Sequence, residues 1–158
     1  MLADVASKEL ELREDTLELI NSEIAGRLVR QADSSAKIDS KATALTGYAL
    51  AAASFLATRH VQPVLAGLAY GTFAVAAVLS VAASAVGSHT DVPESRPLFN
   101  KYATRTRAET LAALGATRVR TFEENARRHA RKGRLWLAAV GNLGAGVVLM
   151  ISAILMEN

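Results

Sequence analysis

LWLAAVGNLGAGVVLMISAILM, residues Leu135–Met156, runs for 22 residues without an acidic or basic side chain. As a helix rising about 1.5 Å per residue it reaches roughly 33 Å, the thickness of a bilayer's hydrocarbon core. Two further stretches lack Asp, Glu, Lys and Arg: Ala42–Thr58, 17 residues, and His60–Thr90, 31 residues. The longer one must tilt or continue into the headgroup layer. The shorter lies at the lower limit for a span, with Lys41 and Arg59 at its ends able to reach opposite interfaces. Enclosing all three in a soluble core would demand more interior than a chain of 158 residues provides. The layout predicts an all-α membrane protein with three transmembrane helices, residues 42–90 forming a helical hairpin and 135–158 the third helix with a short tail.

The charged segments complete the architecture. Residues 1–41 hold nine acids and six bases and read as an amphipathic helix over 4–38. Leu10, Leu17, Ile24 and Ile38 recur at multiples of seven with Gln31 in register, and Ile20 and Leu28 widen the stripe. Its early acidic run favours packing against another helix over attachment to an anionic surface. Residues 91–134 carry eleven bases and five acids. Asp91, Pro93 and Pro97 mark a turn there, and 98–132 read as a helix with Leu111, Leu114, Val119 and Phe122 on its apolar face. Only Arg59 lies in the first hairpin, where Pro63 suits the opening turn of the next helix. The positive-inside rule then puts the N-terminus and the basic segment in the cytoplasm and the C-terminus outside, in a multi-pass cell-membrane protein.

No apolar signal-peptide core is present near the N-terminus, so the first span is expected to direct insertion. The chain has no cysteine, excluding disulfides and thiolate metal sites. His60, His89 and His129 have no metal-like partners in sequence, and no acid sits at bilayer depth as a proton relay. Gly141-x-x-Gly144-x-Gly146 lies inside an apolar helix with no preceding strand and is no dinucleotide fingerprint. These features predict neither enzyme activity nor a metal or cofactor, and nothing resembles a nucleic-acid-binding fold.

Candidate functional residues fall into three groups. Gly67 and Gly71 on the second span, Gly47 on the first, and Gly141 and Ala145 on the third are small residues that permit close helix approach, within one protomer or around a homo-oligomeric pore. Asn142, the amide of the third span, requires a hydrogen-bond partner such as Ser54, Tyr70 or a neighbouring copy, or lines a polar path. Arg127, Arg128, Arg131, Lys132 and Arg134 form a basic strip that fixes topology and contacts lipid headgroups or another anion. Asp39 and Lys41 sit where the helix enters the bilayer, as a charged collar, as partners for arginines of the middle helix, or as a plain boundary.

Asp39, Lys41, Ala42 and Leu45 resemble the Asp-x-Lys-Ala-x-x-Leu pattern that opens the first membrane helix of small bacterial transmembrane effectors in nucleotide-signalled anti-phage defence (Pycsar- and SLATT-like effectors). The upstream amphipathic helix, tight hairpin and long segment before a last membrane helix are also similar. The resemblance implies an oligomeric effector that permeabilises or depolarises the membrane on infection. This chain has no room for a separate sensor domain, so its signal would come through a cytoplasmic partner or the cytoplasmic helices. A membrane scaffold or anchor recruiting a cytoplasmic partner, and a holin-like pore former, are the alternatives.

Overall fold

The computed structural model describes residues 9, 12–86 and 105–156. Leu10, His89 and the expected turn at Asp91, Pro93 and Pro97 lie outside them. The described residues form three helices: α1 (Glu14–Ala57), α2 (Pro63–Ala85) and α3 (Arg107–Leu155). The expected amphipathic helix and first apolar stretch are one unbroken 44-residue helix, and the basic segment runs into the last apolar stretch as one of 49. Neither junction holds a proline, and Gly133, a residue type that often ends helices through a positive φ, does not take one here; Asp39-Ser40-Lys41 and Lys132-Gly133-Arg134 continue the backbone ladder.

Local chemistry sets the ends. Thr106 caps α3: its Oγ1 accepts from Glu109 N at 3.3 Å, and Glu109 Oε2 accepts from Thr106 N at 3.3 Å. This reciprocal pair satisfies two donors that the first helical turn leaves open. Thr106→Ala is expected to cost about 1 kcal/mol, with Thr106→Ser close to wild type, read as a shift in the denaturant midpoint of the helical signal. At the other connection, α1 closes with backbone bonds from Thr58 to Phe55 and from Arg59 to Leu56. Gln62 Oε1 accepts from Leu65 N at 2.7 Å and Pro63 opens α2, where its missing N–H costs nothing.

The packing forms two compact units, and their boundaries cut across the charge pattern. In the first, described residues 12–33 of the N-terminal region pack with 105–127. The helices run in the same direction, since Arg107 pairs with Glu14 at 2.5 Å and Glu18 at 2.6 Å while Arg118 reaches Asn21. Asn21 is buried; its amide donates to Leu17 O and to Leu111 O at 2.7 Å, and Arg118 donates to its Oδ1 at 3.2 Å. Leu17, Ile24, Leu111, Leu114 and Phe122 are half-buried, whereas Ile20 and Val119 are exposed. Polar cross-links therefore share the work of holding this pair with a modest apolar contact. On the outside, the hydrogen bond from Arg27, then the charge of Arg30, holds the Glu23 carboxyl below its usual range. Its small contribution to stability is present above the unfolded value and is lost as pH falls through the lowered one.

The second unit packs 34–57, α2 and 128–155 around alanines. The inward face of α2 is Ala66, Ala69, Phe73, Ala76, Ser80 and Ala83, a strict three–four alternation. On α1 the buried positions are Ser35, Ala42, Leu45, Ala49 and Leu56, and on α3 Lys132, Ala139, Gly146 and Ala153, the last four at every seventh residue. A 3.5-residue average repeat keeps one seam facing its partners, as in left-handed coiled coils. Gln62 N donates to Ala153 O at 3.2 Å, tying the α1–α2 connection to the end of α3.

By length and composition, α2 and α3 are apolar and long enough to cross a membrane, with only 28% and 17% of their apolar windows buried inside the protein. The helix holding the first expected span does not reach that measure. Because α1 ends at Ala57, its charge-free part is only 42–57, short of the ~20 residues a bilayer asks for.

Candidate functional site

The site begins where the apolar segments of α1 and α3 begin. Ser35, Asp39 and Ala42 recur every three to four residues on α1 and so face one way. Opposite them, α3 presents Lys132, whose ammonium donates to Asp39 Oδ2 at 2.8 Å and Ser35 Oγ at 3.0 Å, and stands 2.7 Å from Asp39 Oδ1. The environments of the partners differ: the Lys132 side chain is 4% exposed and that of Asp39 42%. An ammonium removed from water needs a counter-charge and hydrogen-bond acceptors, and this arrangement supplies both. Ala42 and Leu45 continue the same face and are buried. Lys41 is exposed, and its ammonium lies 5.6 Å from the ring centroid of Trp136 on α3, within cation–π range.

The basic strip accordingly divides. Lys132 turns inward to the α1 carboxylate, while Arg127, Arg128, Arg131 and Arg134 are exposed. The partner of Asp39 is this lysine; pairing with an arginine of the middle helix is one of the three roles that the sequence leaves open for it. Position decides it: Lys132 shares the seam repeat with Ala139 and Gly146, whereas Arg131 and Arg134 lie about 100° and 200° around the helix from it.

The small residues picked from sequence stand on outer surfaces. Gly47, Gly67, Gly71 and Gly141 have nothing within 4 Å of where a Cβ would sit, and Ala145 is exposed. Among the described residues Asn142 bonds to no other helix; its amide donates to Ala138 O at 2.9 Å, one turn back on α3. Around Gly67, Gly71, Gly141 and Ala145 the outward residues are large and apolar, among them Leu68, Val75, Val78, Val140 and Val148. A shallow groove of about 290 Å³ between α1 and α2, lined by Ala49, Leu50, Ala53, Tyr70, Phe73, Ala74 and Ala77, adds to this apolar exterior.

Close approach happens instead at Gly146. A Cβ there would lie 2.5 Å from Phe73 Cε1 and 2.6 Å from Thr72 Oγ1, so α2 and α3 pack at a distance that admits only hydrogen. Ser35, the role of Lys132 and Gly146 were missed from sequence. The signal that marks the last two was present: 132, 139, 146 and 153 form an unbroken heptad series, which the small-xxx-small spacing of Gly141 and Ala145 obscures.

Among the described residues no group of three or more histidines and carboxylates is placed to hold a metal. No family model matches the chain, and neither a curated protein nor a solved structure matches it.

Proposed function

We propose that this is a multi-pass membrane protein, N-terminus cytoplasmic and C-terminus external, whose copies associate through the outer faces of α2 and α3 and permeabilise the membrane as an effector in anti-phage defence. The observation that carries the reading is the outward placement of Gly67, Gly71, Gly141 and Ala145 among exposed valines and leucines. In hydrocarbon such a face gains nothing by burial away from lipid; its advantage is that another helix can approach closely. The segment 42–57 belongs to the same apolar exterior through Tyr48, Leu50 and Phe55, which supports a third crossing. The distribution of bases supports the orientation, and the resemblance at Asp39, Lys41, Ala42 and Leu45 supports the defence role. A signalling partner on the cytoplasmic side completes the proposal.

Purified full-length protein in dye-loaded liposomes tests it, alone and with candidate activating partners. The expected result is an oligomer in detergent and dye release from wild type. A variant with both Gly67→Leu and Gly71→Leu should keep its helical signal and unfolding midpoint, since that surface is open, yet lose both assembly and leakage. Leakage unchanged in a monomeric variant would sink the oligomer mechanism. A second reading, a scaffold that recruits a cytoplasmic partner, is favoured by one observation: Leu12, Leu19 and Val29 are large, apolar and exposed on the first unit. It predicts a stable assembly that releases no dye under any activating condition.

A further inference from the structure

We infer that the start of the apolar segments is a collar for anionic phospholipid headgroups, built from Lys37 and Lys41 of α1 with Arg131 and Arg134 of α3. The inference rests on the membrane reading above and deepens it by naming the lipid.

All four side chains are exposed. The contacts between Lys132 and Asp39, and between Lys41 and Trp136, bring this stretch of α1 level with this stretch of α3. Lys37 and Lys41 flank Asp39 by two residues on either side, and Arg131 and Arg134 flank Lys132. The seam residues face each other, so the flanking cations point outward on both helices.

Depth fits as well. The apolar stretches start at Ala42 and Leu135, so the four positions precede them by one to five residues, at most about 8 Å of helix. The headgroup layer on one side of a bilayer is roughly 5–8 Å thick. Trp136, an aromatic residue of the kind enriched at that boundary, sits just beyond.

What makes the belt selective is the missing counter-charge. Asp39 is the one acid in residues 34–87 and 128–156, and the buried ammonium of Lys132 occupies it. Among the described residues Lys37, Arg131 and Arg134 form no ion pair with a carboxylate. Lysine supplies point charges and arginine a planar fork for phosphate oxygens. The neutralised pair in the middle thus leaves a ring of cations whose complement is a layer of lipid phosphates bearing net negative charge. A zwitterionic headgroup, carrying its own ammonium, complements it less well.

The chain's one tryptophan reports from inside the collar. Full-length protein is reconstituted in mixed phosphatidylcholine and phosphatidylglycerol vesicles, with bromine near the top of the acyl chains of one lipid or the other. The expected result is stronger quenching of Trp136 by brominated phosphatidylglycerol at equal mole fraction, an enrichment on the order of fivefold per paired charge at low salt that falls as salt is raised. Replacing the four cations by glutamine (K37Q, K41Q, R131Q, R134Q) should abolish the preference. The charge-conserving set (K37R, K41R, R131K, R134K) should retain it, and circular dichroism checks that both sets fold. Equal quenching by the two lipids in wild type, or a preference surviving in the glutamine set, overturns the collar while leaving the membrane reading intact. Quenching by neither lipid overturns both.

Discussion

Asp39→Ala lowers the stability of the folded protein by about 3 kcal/mol, and Lys132→Met by about 1 kcal/mol or less. The asymmetry follows from exposure. Removing Asp39 strands an ammonium that is 4% exposed, with only the Ser35 hydroxyl left to accept from it; breaking a buried pair from one side costs about 3–5 kcal/mol. The half-open position of Asp39 lets water replace part of the lost carboxylate, which places the effect at the lower end. Removing Lys132 leaves a carboxylate whose Oδ1 is buried but whose side chain as a whole is 42% exposed, so water reaches part of it, while methionine fills the lysine's volume with apolar atoms. The double variant should resemble Lys132→Met alone, since no stranded charge remains. A double-mutant cycle from unfolding followed by circular dichroism measures this. If Asp39→Ala costs no more than Lys132→Met, the ammonium is not buried as described.

Gly146→Ala is expected to cost about 1–3 kcal/mol by overpacking, although alanine is the better helix former by about 1 kcal/mol elsewhere. Its methyl group would meet the Phe73 ring at 2.5–2.7 Å and the Thr72 hydroxyl at 2.6 Å. Phe73 is itself buried in the cluster with Ala49, Leu56, Ala66, Ala69 and Ala76, so the ring cannot simply swing outward. Gly144, two residues earlier, has nothing within 4 Å, and Gly144→Ala should be neutral or mildly stabilising. Combining Gly146→Ala with Phe73→Leu should recover part of the loss. The readout is the unfolding midpoint of the four variants side by side, and equal midpoints for Gly144→Ala and Gly146→Ala would show that α2 and α3 are not in close contact there.

These two sites also show where the sequence was readable. The helical character of all three segments and the hairpin at Pro63 follow from charge-free length, helix-forming composition and proline geometry. The continuity of α1 and α3 is harder to see, because polar and apolar composition meet at residues 41 and 134, and Gly133 there continues a helix that its residue type often ends. Composition changes there while the backbone does not. Within the apolar segments the difficulty was different. Outward and inward surfaces both hold small residues, so Gly67, Gly71 and Gly141 look as much like an interface as Ala66, Ala69 and Gly146. Size alone does not separate them; the three–four alternation does. Charge along the strip groups Lys132 with its basic neighbours, whereas its heptad position sets it apart.

The alanine seam has one more consequence. Small side chains dominate this surface, and sliding α1 past α3 by seven residues, about 10 Å, would put Ala49 in the place of Ala42, with Leu45 and Leu56 the larger exceptions. Van der Waals packing alone would then leave several alignments close in energy. Lys132 and Asp39 break that degeneracy for α1 and α3, because in any slipped alignment a buried charge loses its counter-ion. Phe73 and Gly146 break it for α2 and α3, because the ring fits only opposite a residue with no side chain. One charge pair and one missing methyl group thus act as index marks on a sparsely marked ruler.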